Sequence, residues 1–215
     1  MLTLIFANGE LATPPDLAGL LQRTGLIIAA DGGADHCDRL GITPHVLIGD
    51  LDSVDAEILE KFQSKGTAIQ RHPPEKDATD LELALDLALA RAASEVWLFG
   101  ALGGRWDMSL ANILLCAGKK YRHLPITLVG PDCRMHIIHA GEPFTVHPAQ
   151  PGRKVSLLPL GGDTHGITLD GFRFPLQDAI LPFGSSRGIS NVITGKAGTV
   201  HLRQGVLLCI CLERE

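Results

Sequence analysis

The run LIIAA, residues 26–30, is apolar at every position, and it is one of several such runs set between segments of helical period. A strand apolar on both faces must be covered on both, which is the condition of a parallel sheet wrapped by crossover helices. TLIFANG (3–9), LIIAADGG (26–33), VLIGD (46–50), TAIQR (67–71), VWLFGA (96–101) and ITLVG (126–130) read as strands. Between them, helices are expected at DLAGLLQRTG (16–25, closed by Gly25), in a short stretch ending at Gly41, at VDAEILEKFQSKG (54–66), at DLELALDLALARAA (80–93) and near 107–119. This βαβ series predicts an α/β domain with a doubly wound, mostly parallel sheet over residues 1–138.

Beyond that point the pattern changes. HIIHAGEPFTVHP, RKVSLLPLGG, HGITLDGFRFPL and TVHLRQGVLLCICLE are short apolar or alternating runs separated by Gly, Pro and Asp. They predict a smaller antiparallel β-sandwich over residues 139–215. No Ser/Gly-rich linker separates the two parts.

The net charge of −5, with no Lys/Arg-rich run, argues against a nucleic-acid partner. The opening MLTLIFANGE lacks a basic leader and is expected as a first strand, and no apolar stretch has the length to cross a bilayer. A cytoplasmic location with no membrane partner is therefore expected. The five cysteines are scattered, and Cys209 and Cys211 are expected as small core residues. His136 and His139 fall in a strand-like run where their spacing points them to opposite sides, which does not suit a shared metal.

Ligands of open α/β sheets bind beyond the carboxyl ends of the strands. Acidic residues gather there: Asp31 after LIIAA, Asp50 and Asp52 after VLI, and Lys76-Asp77-Ala78-Thr79-Asp80 after TAIQR. Gly103-Gly104-Arg105-Trp106-Asp107 follows VWLFGAL. Each has a structural reading: Ser53 as cap of a helix beginning at Val54, Thr79 and Glu82 as a capping box, Asp107 as a cap, and Asp31 as a turn residue. Together these readings leave several carboxylates at one sheet edge unexplained. Asp50 in particular is not needed as a cap. In extended chain Asp50 and Asp52 point to one side, and a divalent cation offsets their repulsion. Mg²⁺ takes hard oxygen ligands and phosphate oxygens, Arg105 reads phosphate as a fork, and the glycines let backbone N–H groups approach an anion. No Walker loop, GxGxxG fingerprint, GxSxG elbow or HExxH helix is present.

ADGGAD (30–35), GDLDS (49–53), KDATD (76–80), GGRWDMSLAN (103–112) and GSSRGISN (184–191), in this order, resemble the motifs of the thiamine pyrophosphokinase family. The resemblance spans nearly the whole chain. It implies Mg²⁺-dependent transfer of the pyrophosphoryl group of ATP to thiamine, giving thiamine diphosphate and AMP, in a homodimer with sites at the subunit interface. It implies that Asp31, Asp50, Asp52 and Asp80 hold the metal, and that Asp50, Asp52, Asp80 and Arg105 serve catalysis, with Asp80 or Asp52 accepting the hydroxyl proton. It also implies that Asp77, Thr79, Gly103, Gly104, Arg105 and Asp107 bind ATP, and that Gly184, Ser185, Ser190 and Asn191 bind thiamine. Two departures stand out: Met108 follows Asp107 where the family often has His, and the run Gly205 to Cys209 lacks the Trp that some members carry. Trp97 is assigned to the core, and Trp106 is left between surface and site. The competing readings are the same transfer to another primary alcohol, such as a hydroxymethylpterin, and a nucleotide- or thiamine-binding regulator without turnover.

Overall fold

The computed structural model describes residues 1–12, 16–147 and 152–213, which form two compact units. The first takes Met1–Leu115 and His123–Pro131; the second takes Cys116–Arg122 and the chain from Asp132 onward.

In the first unit, β1 (Leu2–Phe6), β2 (Thr24–Ala30), β3 (Val46–Gly49), β4 (Ala68–Arg71), β5 (Glu95–Phe99) and β6 (Ile126–Val129) lie in the order β6-β5-β1-β2-β3-β4. Every pairing among them is parallel. The helices are α1 (Leu17–Arg23), α2 (Gly33–Arg39), α3 (Ala56–Ser64), α4 (Asp80–Ala90) and α5 (Trp106–Cys116). The all-apolar runs are buried as expected, with Leu4, Ile5, Phe6, Ile28, Ala29 and Leu98 at 1% exposure or less. Phe6 stacks on Phe99 with ring centroids 4.9 Å apart, which ties the two neighbouring strands in the core. The strand order reverses at β1, whose neighbours are β2 on one side and β5 on the other. In such sheets the ligand crevice lies beyond the carboxyl ends of the strands at this reversal.

The second unit has two antiparallel layers. One carries β12 (Asn191–Val192), β9 (Lys154–Pro159), β14 (Val206–Leu212) and β7 (Cys133–His139), in that order. The other carries β11 (Leu176–Leu181), β10 (Thr164–Asp170), β13 (Gly198–His201) and β8 (Phe144–Val146). Val155, Leu157, Leu207 and Cys209 of the first layer share one core with Ile167, Leu169, Leu181 and Val200 of the second, so the unit is a sandwich. Cys211 belongs to the same core.

Local differences from the sequence expectation have identifiable causes. α1 stops at Arg23, not at Gly25, because Thr24 turns extended and its residue pairs with Leu2 as β2 begins. The expected boundary at 138/139 falls inside β7, and the compact units divide before that strand, at Pro131/Asp132. α5 ends at Cys116, followed by a single 3-10 turn at Lys119–Tyr121. Ser53 does not cap α3: Asp55 does, its carboxylate accepting the N–H of Glu57 at 2.8 Å. Asp107 lies within the first turn of α5 and is not its cap. Among the described residues no helix is long and apolar enough to cross a membrane.

Candidate active site

The crevice beyond the carboxyl ends of β1, β2 and β5 is a cavity of about 620 Å³, all of whose lining residues belong to the first unit. The chain after β1 is sewn to the chain after β5 by Ala7 N–H to Phe99 O (2.8 Å), Gly9 N–H to Gly100 O (2.6 Å) and Glu10 N–H to Leu102 O (3.0 Å). On the other side, α2 starts against β1 itself. A Cβ on Gly33 would stand 1.9 Å from the carbonyl oxygen of Phe6, so only glycine lets this helix begin where it does. That is a packing reason for the second glycine of ADGGAD.

Asp31 sits in this turn with φ +45° and is only 8% exposed. Its N–H bonds the carbonyl of Ile48 at 2.9 Å, while its buried Oδ1 has no hydrogen-bond partner. Asp50 and Asp52 flank Leu51, which has φ +63° and is buried in the core. The extended geometry expected for these residues is therefore not kept: burying Leu51 folds the chain into a turn. The turn still brings the acids together, with Asp52 N–H 3.4 Å from Asp50 Oδ1. One oxygen each from Asp31, Asp50 and Asp52 lies within 4.8 Å of the others. Asp80 opens α4 beside this group, but its oxygens are not part of it. Burial, first, and then the neighbouring Asp50 and Asp31 push the Asp80 carboxyl above its ordinary value against the pull of Lys76.

Lys76 is the residue that sequence reasoning passed over. Its Nζ stands 3.1 Å from Asp80 Oδ1 and 3.5 Å from Asp50 Oδ2. Burial acts against the charge on Asp50, but the Asp52 N–H and Lys76 outweigh it and hold that carboxyl low. Thr79 lines the cavity and caps α4 by accepting the N–H of Glu82 at 3.2 Å. Asp77 is exposed and does not line the cavity.

On the opposite wall, α5 holds the glycine-arginine loop. Ser109 Oγ accepts the N–H of Gly103 at 3.0 Å, and Asn112 Nδ2 donates to Ala101 O at 2.8 Å. Glu10 Oε1 accepts the N–H of Gly104 at 2.9 Å. Arg105 forks onto Asp107, with Nε to Oδ1 at 3.2 Å and Nη2 to Oδ2 at 2.5 Å, and both side chains remain mostly exposed. Arg105 thus holds the Asp107 carboxyl below its usual range. Ser109 and Asn112 lie in the motif already singled out, whereas Glu10 carried no signal beyond its place after β1. Trp97 is in the core as assigned, and Trp106 is 88% exposed and does not line the cavity.

The acidic set fits a hard divalent cation. It offers carboxylate oxygens only, and the orphaned Asp31 Oδ1 is a buried acceptor that such an ion would satisfy.

Gly184, Ser185, Ser190 and Asn191 belong to the second unit. The loop leaves β11 at Leu181, is held by Phe183 N–H to Asp163 Oδ1 (2.8 Å), and returns through Ser190, whose N–H bonds Ser156 Oγ at 3.1 Å. Ser185 accepts the N–H of Arg187 at 3.2 Å, and Gly184 is exposed. A Cβ on Gly188 would stand 2.1 Å from Leu157 O, so this loop too lies against a strand backbone. The Asn191 amide is engaged inward: Oδ1 accepts from Phe174 N–H at 3.0 Å and Nδ2 donates to Phe174 O at 2.8 Å.

Comparison with known proteins covers both units. Residues 17–128 match the family "Thiamin pyrophosphokinase, catalytic domain", and residues 136–207 match "Thiamin pyrophosphokinase, vitamin B1 binding domain". The chain is 32% identical over 206 residues to the thiamine pyrophosphokinase of Bacillus subtilis (strain 168), covering 96% of each. The crystal structure of the Bacillus subtilis enzyme is similar with a TM-score of 0.88 at 30% identity, covering all of both chains. That of the Geobacillus thermodenitrificans thiamin pyrophosphokinase has a TM-score of 0.85 at 30% identity, over 100% of this chain and 99% of that one. With both halves matched in order and a relative of this similarity along nearly its whole length, the chain belongs to the thiamin pyrophosphokinase family.

Proposed function

We propose that the acidic crevice is where this pyrophosphokinase moves the pyrophosphoryl group of ATP to the hydroxyl of thiamine, with Mg²⁺ held by Asp31, Asp50 and Asp52 and flanked by Asp80. The observation that carries this reading is the meeting of three carboxylates, of which Asp31 lines the cavity together with Lys76 and Asp80, where the strand order reverses. The thiamine oxygen bonds the β-phosphorus, the bond from that phosphorus to the α–β bridging oxygen breaks, and AMP leaves with the electron pair. When bound, the ion supplies charge neutralisation for the phosphate oxygens.

The chain's own groups do the rest. Arg105 exchanges its Asp107 partner for phosphate oxygens, keeping the same fork geometry. Gly103 and Gly104 line the cavity with their N–H groups held by Ser109 and Glu10, and with Asn112 these contacts keep the loop that carries Arg105 in shape. Thr79 fixes the start of α4, and through it Asp80. Of the two candidate proton acceptors, Asp80 is favoured: it lines the cavity and Asp52 does not. Asp77 is read as contacting ATP only from outside the cavity wall.

The second unit is read as the thiamine-binding part, with Gly184, Ser185 and Ser190 presented by the loop and Asn191 shaping it from behind. The chain is read as a homodimer, supported by Trp106, Leu110 and Leu114, which occupy one face of α5 at 88%, 57% and 49% exposure. Five free thiols suit a reducing, cytoplasmic compartment.

The test is incubation with ATP, Mg²⁺ and thiamine, following AMP and thiamine diphosphate. Stoichiometric appearance of both supports the reading. AMP released only with a hydroxymethylpterin alcohol, or tight binding without product, overturns it. Light scattering giving a monomer at micromolar concentration overturns the dimer.

A further inference from the structure

The Lys76 ammonium sits in the crevice as a cation already bound among oxygens. Nζ lies 3.1 Å from Asp80 Oδ1, 3.5 Å from Asp50 Oδ2 and 3.2 Å from the carbonyl of Pro73. The side chain is 14% exposed, so these contacts are partly sheltered from solvent. Asp50 is the hinge of the arrangement: one oxygen faces Lys76, and the residue also supplies an oxygen to the group formed with Asp31 and Asp52. Lys76 and a divalent cation therefore draw on the same carboxylate.

Four carboxylates around one crevice repel one another, and Lys76 is the cation whose contacts offset that repulsion at Asp50 and Asp80. The lysine hangs on the segment between β4 and α4, next to Pro73 and Pro74, and lines the cavity. A flexible four-carbon stem carries its ammonium, which binds phosphate as a point charge.

We propose that Lys76 is a built-in counter-cation of the crevice, which holds Asp50 and Asp80 in the absence of nucleotide and turns to the polyphosphate oxygens when the metal–nucleotide pair enters. The proposal rests on the reading of the crevice as the Mg²⁺–ATP site. Its consequence is a competition. The metal alone must displace an ammonium to gain Asp50, so metal binding without nucleotide is weakened by the fraction of molecules in which Lys76 holds that carboxylate. Nucleotide relieves the competition by giving the ammonium another anion. Binding of metal and nucleotide then becomes mutually supportive, and by linkage the coupling is equal in both directions.

The experiment uses the full chain and Mn²⁺ alone, with free Mn²⁺ followed by electron paramagnetic resonance. Lys76→Met is expected to bind Mn²⁺ about tenfold more tightly than the native chain in the absence of nucleotide. With a non-hydrolysable ATP analogue present, the gain disappears and the variant binds the analogue about tenfold more weakly. Lys76→Arg keeps the charge and retains the native Mn²⁺ affinity. Lys76→Gln carries the same expectation as Lys76→Met should the latter fold poorly by circular dichroism. The proposal is overturned if neutral variants bind Mn²⁺ no more tightly than the native chain while Asp50→Asn still weakens it, a result that leaves the crevice reading intact. If neither the native chain nor the variants bind Mn²⁺, with or without the analogue, the crevice reading fails and the counter-cation with it.

Discussion

The crevice of the first unit and the 182–191 loop of the second solve opposite problems. The crevice collects charge: Asp31, Asp50, Asp52 and Asp80 stand close enough to oppose one another, and Asp31 keeps a buried oxygen without a hydrogen bond. The loop collects hydrogen bonds: Asp163, Ser156 and Asn191 meet its backbone or its neighbours, and it carries exposed Phe183 and Ile189. Like charges brought together raise the cost of the empty crevice, whereas the loop's polar groups are satisfied within the chain. Yet both rely on the same backbone device. Gly33 lies against Phe6 O and Gly188 against Leu157 O, each too close for a side chain.

The sharpest test of the contrast is Asp50→Asn. It removes charge from the conflicted side, and turnover should fall about 10³-fold or more with the fold intact by circular dichroism. Near-native turnover at saturating Mg²⁺ would break the assignment of the crevice. The shared device is tested by Gly33→Ala and Gly188→Ala, each expected to lose about 3 kcal/mol or more by urea unfolding, because a methyl would sit on a carbonyl oxygen. A loss under 1 kcal/mol at either site would show that its backbone can move aside.

Asn191→Ala comes next. It leaves the Phe174 N–H and C=O without their side-chain partners and should cost about 2 kcal/mol in the same assay. Unchanged stability with a raised KM for thiamine would instead make Asn191 a direct ligand. Mg²⁺ at about ten times its Kd should stabilise the native chain by about 1.4 kcal/mol, and Asp50→Asn should lose that gain. The smallest effect is Ser190→Gly. Ser190 holds φ +58°, so glycine should relieve about 0.5 kcal/mol of strain, visible as a slight rise in Tm.

Several elements were legible from local chemistry. LIIAA and VWLF have no polar position to turn toward water, so each had to be a strand covered on both sides. Thr79 three residues before Glu82 announced the start of α4, and the cap is in place. The acids of GDLDS were legible as a pair, but their route together was not, because it depends on Leu51 leaving the extended conformation to enter the core. Ser53 and Asp55 are both competent caps by type, and the choice of Asp55 follows from where that turn releases the chain. The inward engagement of Asn191 was hidden because its partner is a backbone seventeen residues away.

By itself the sequence determined which segments are strands and helices, the change from parallel to antiparallel grammar, and the motif acids at the strand ends. These follow from periodicity and residue type, which act over a few neighbours. Tertiary structure alone decided the strand order β6-β5-β1-β2-β3-β4, which sets the crevice beyond the carboxyl ends of β1, β2 and β5. It also decided that Lys76 faces Asp50 and Asp80, and that Glu10 meets Gly104 across ninety-four positions of chain. Charge and hydrogen bonding act through space with no regard for sequence separation, so such partners appear only once the sheet has brought the loops together.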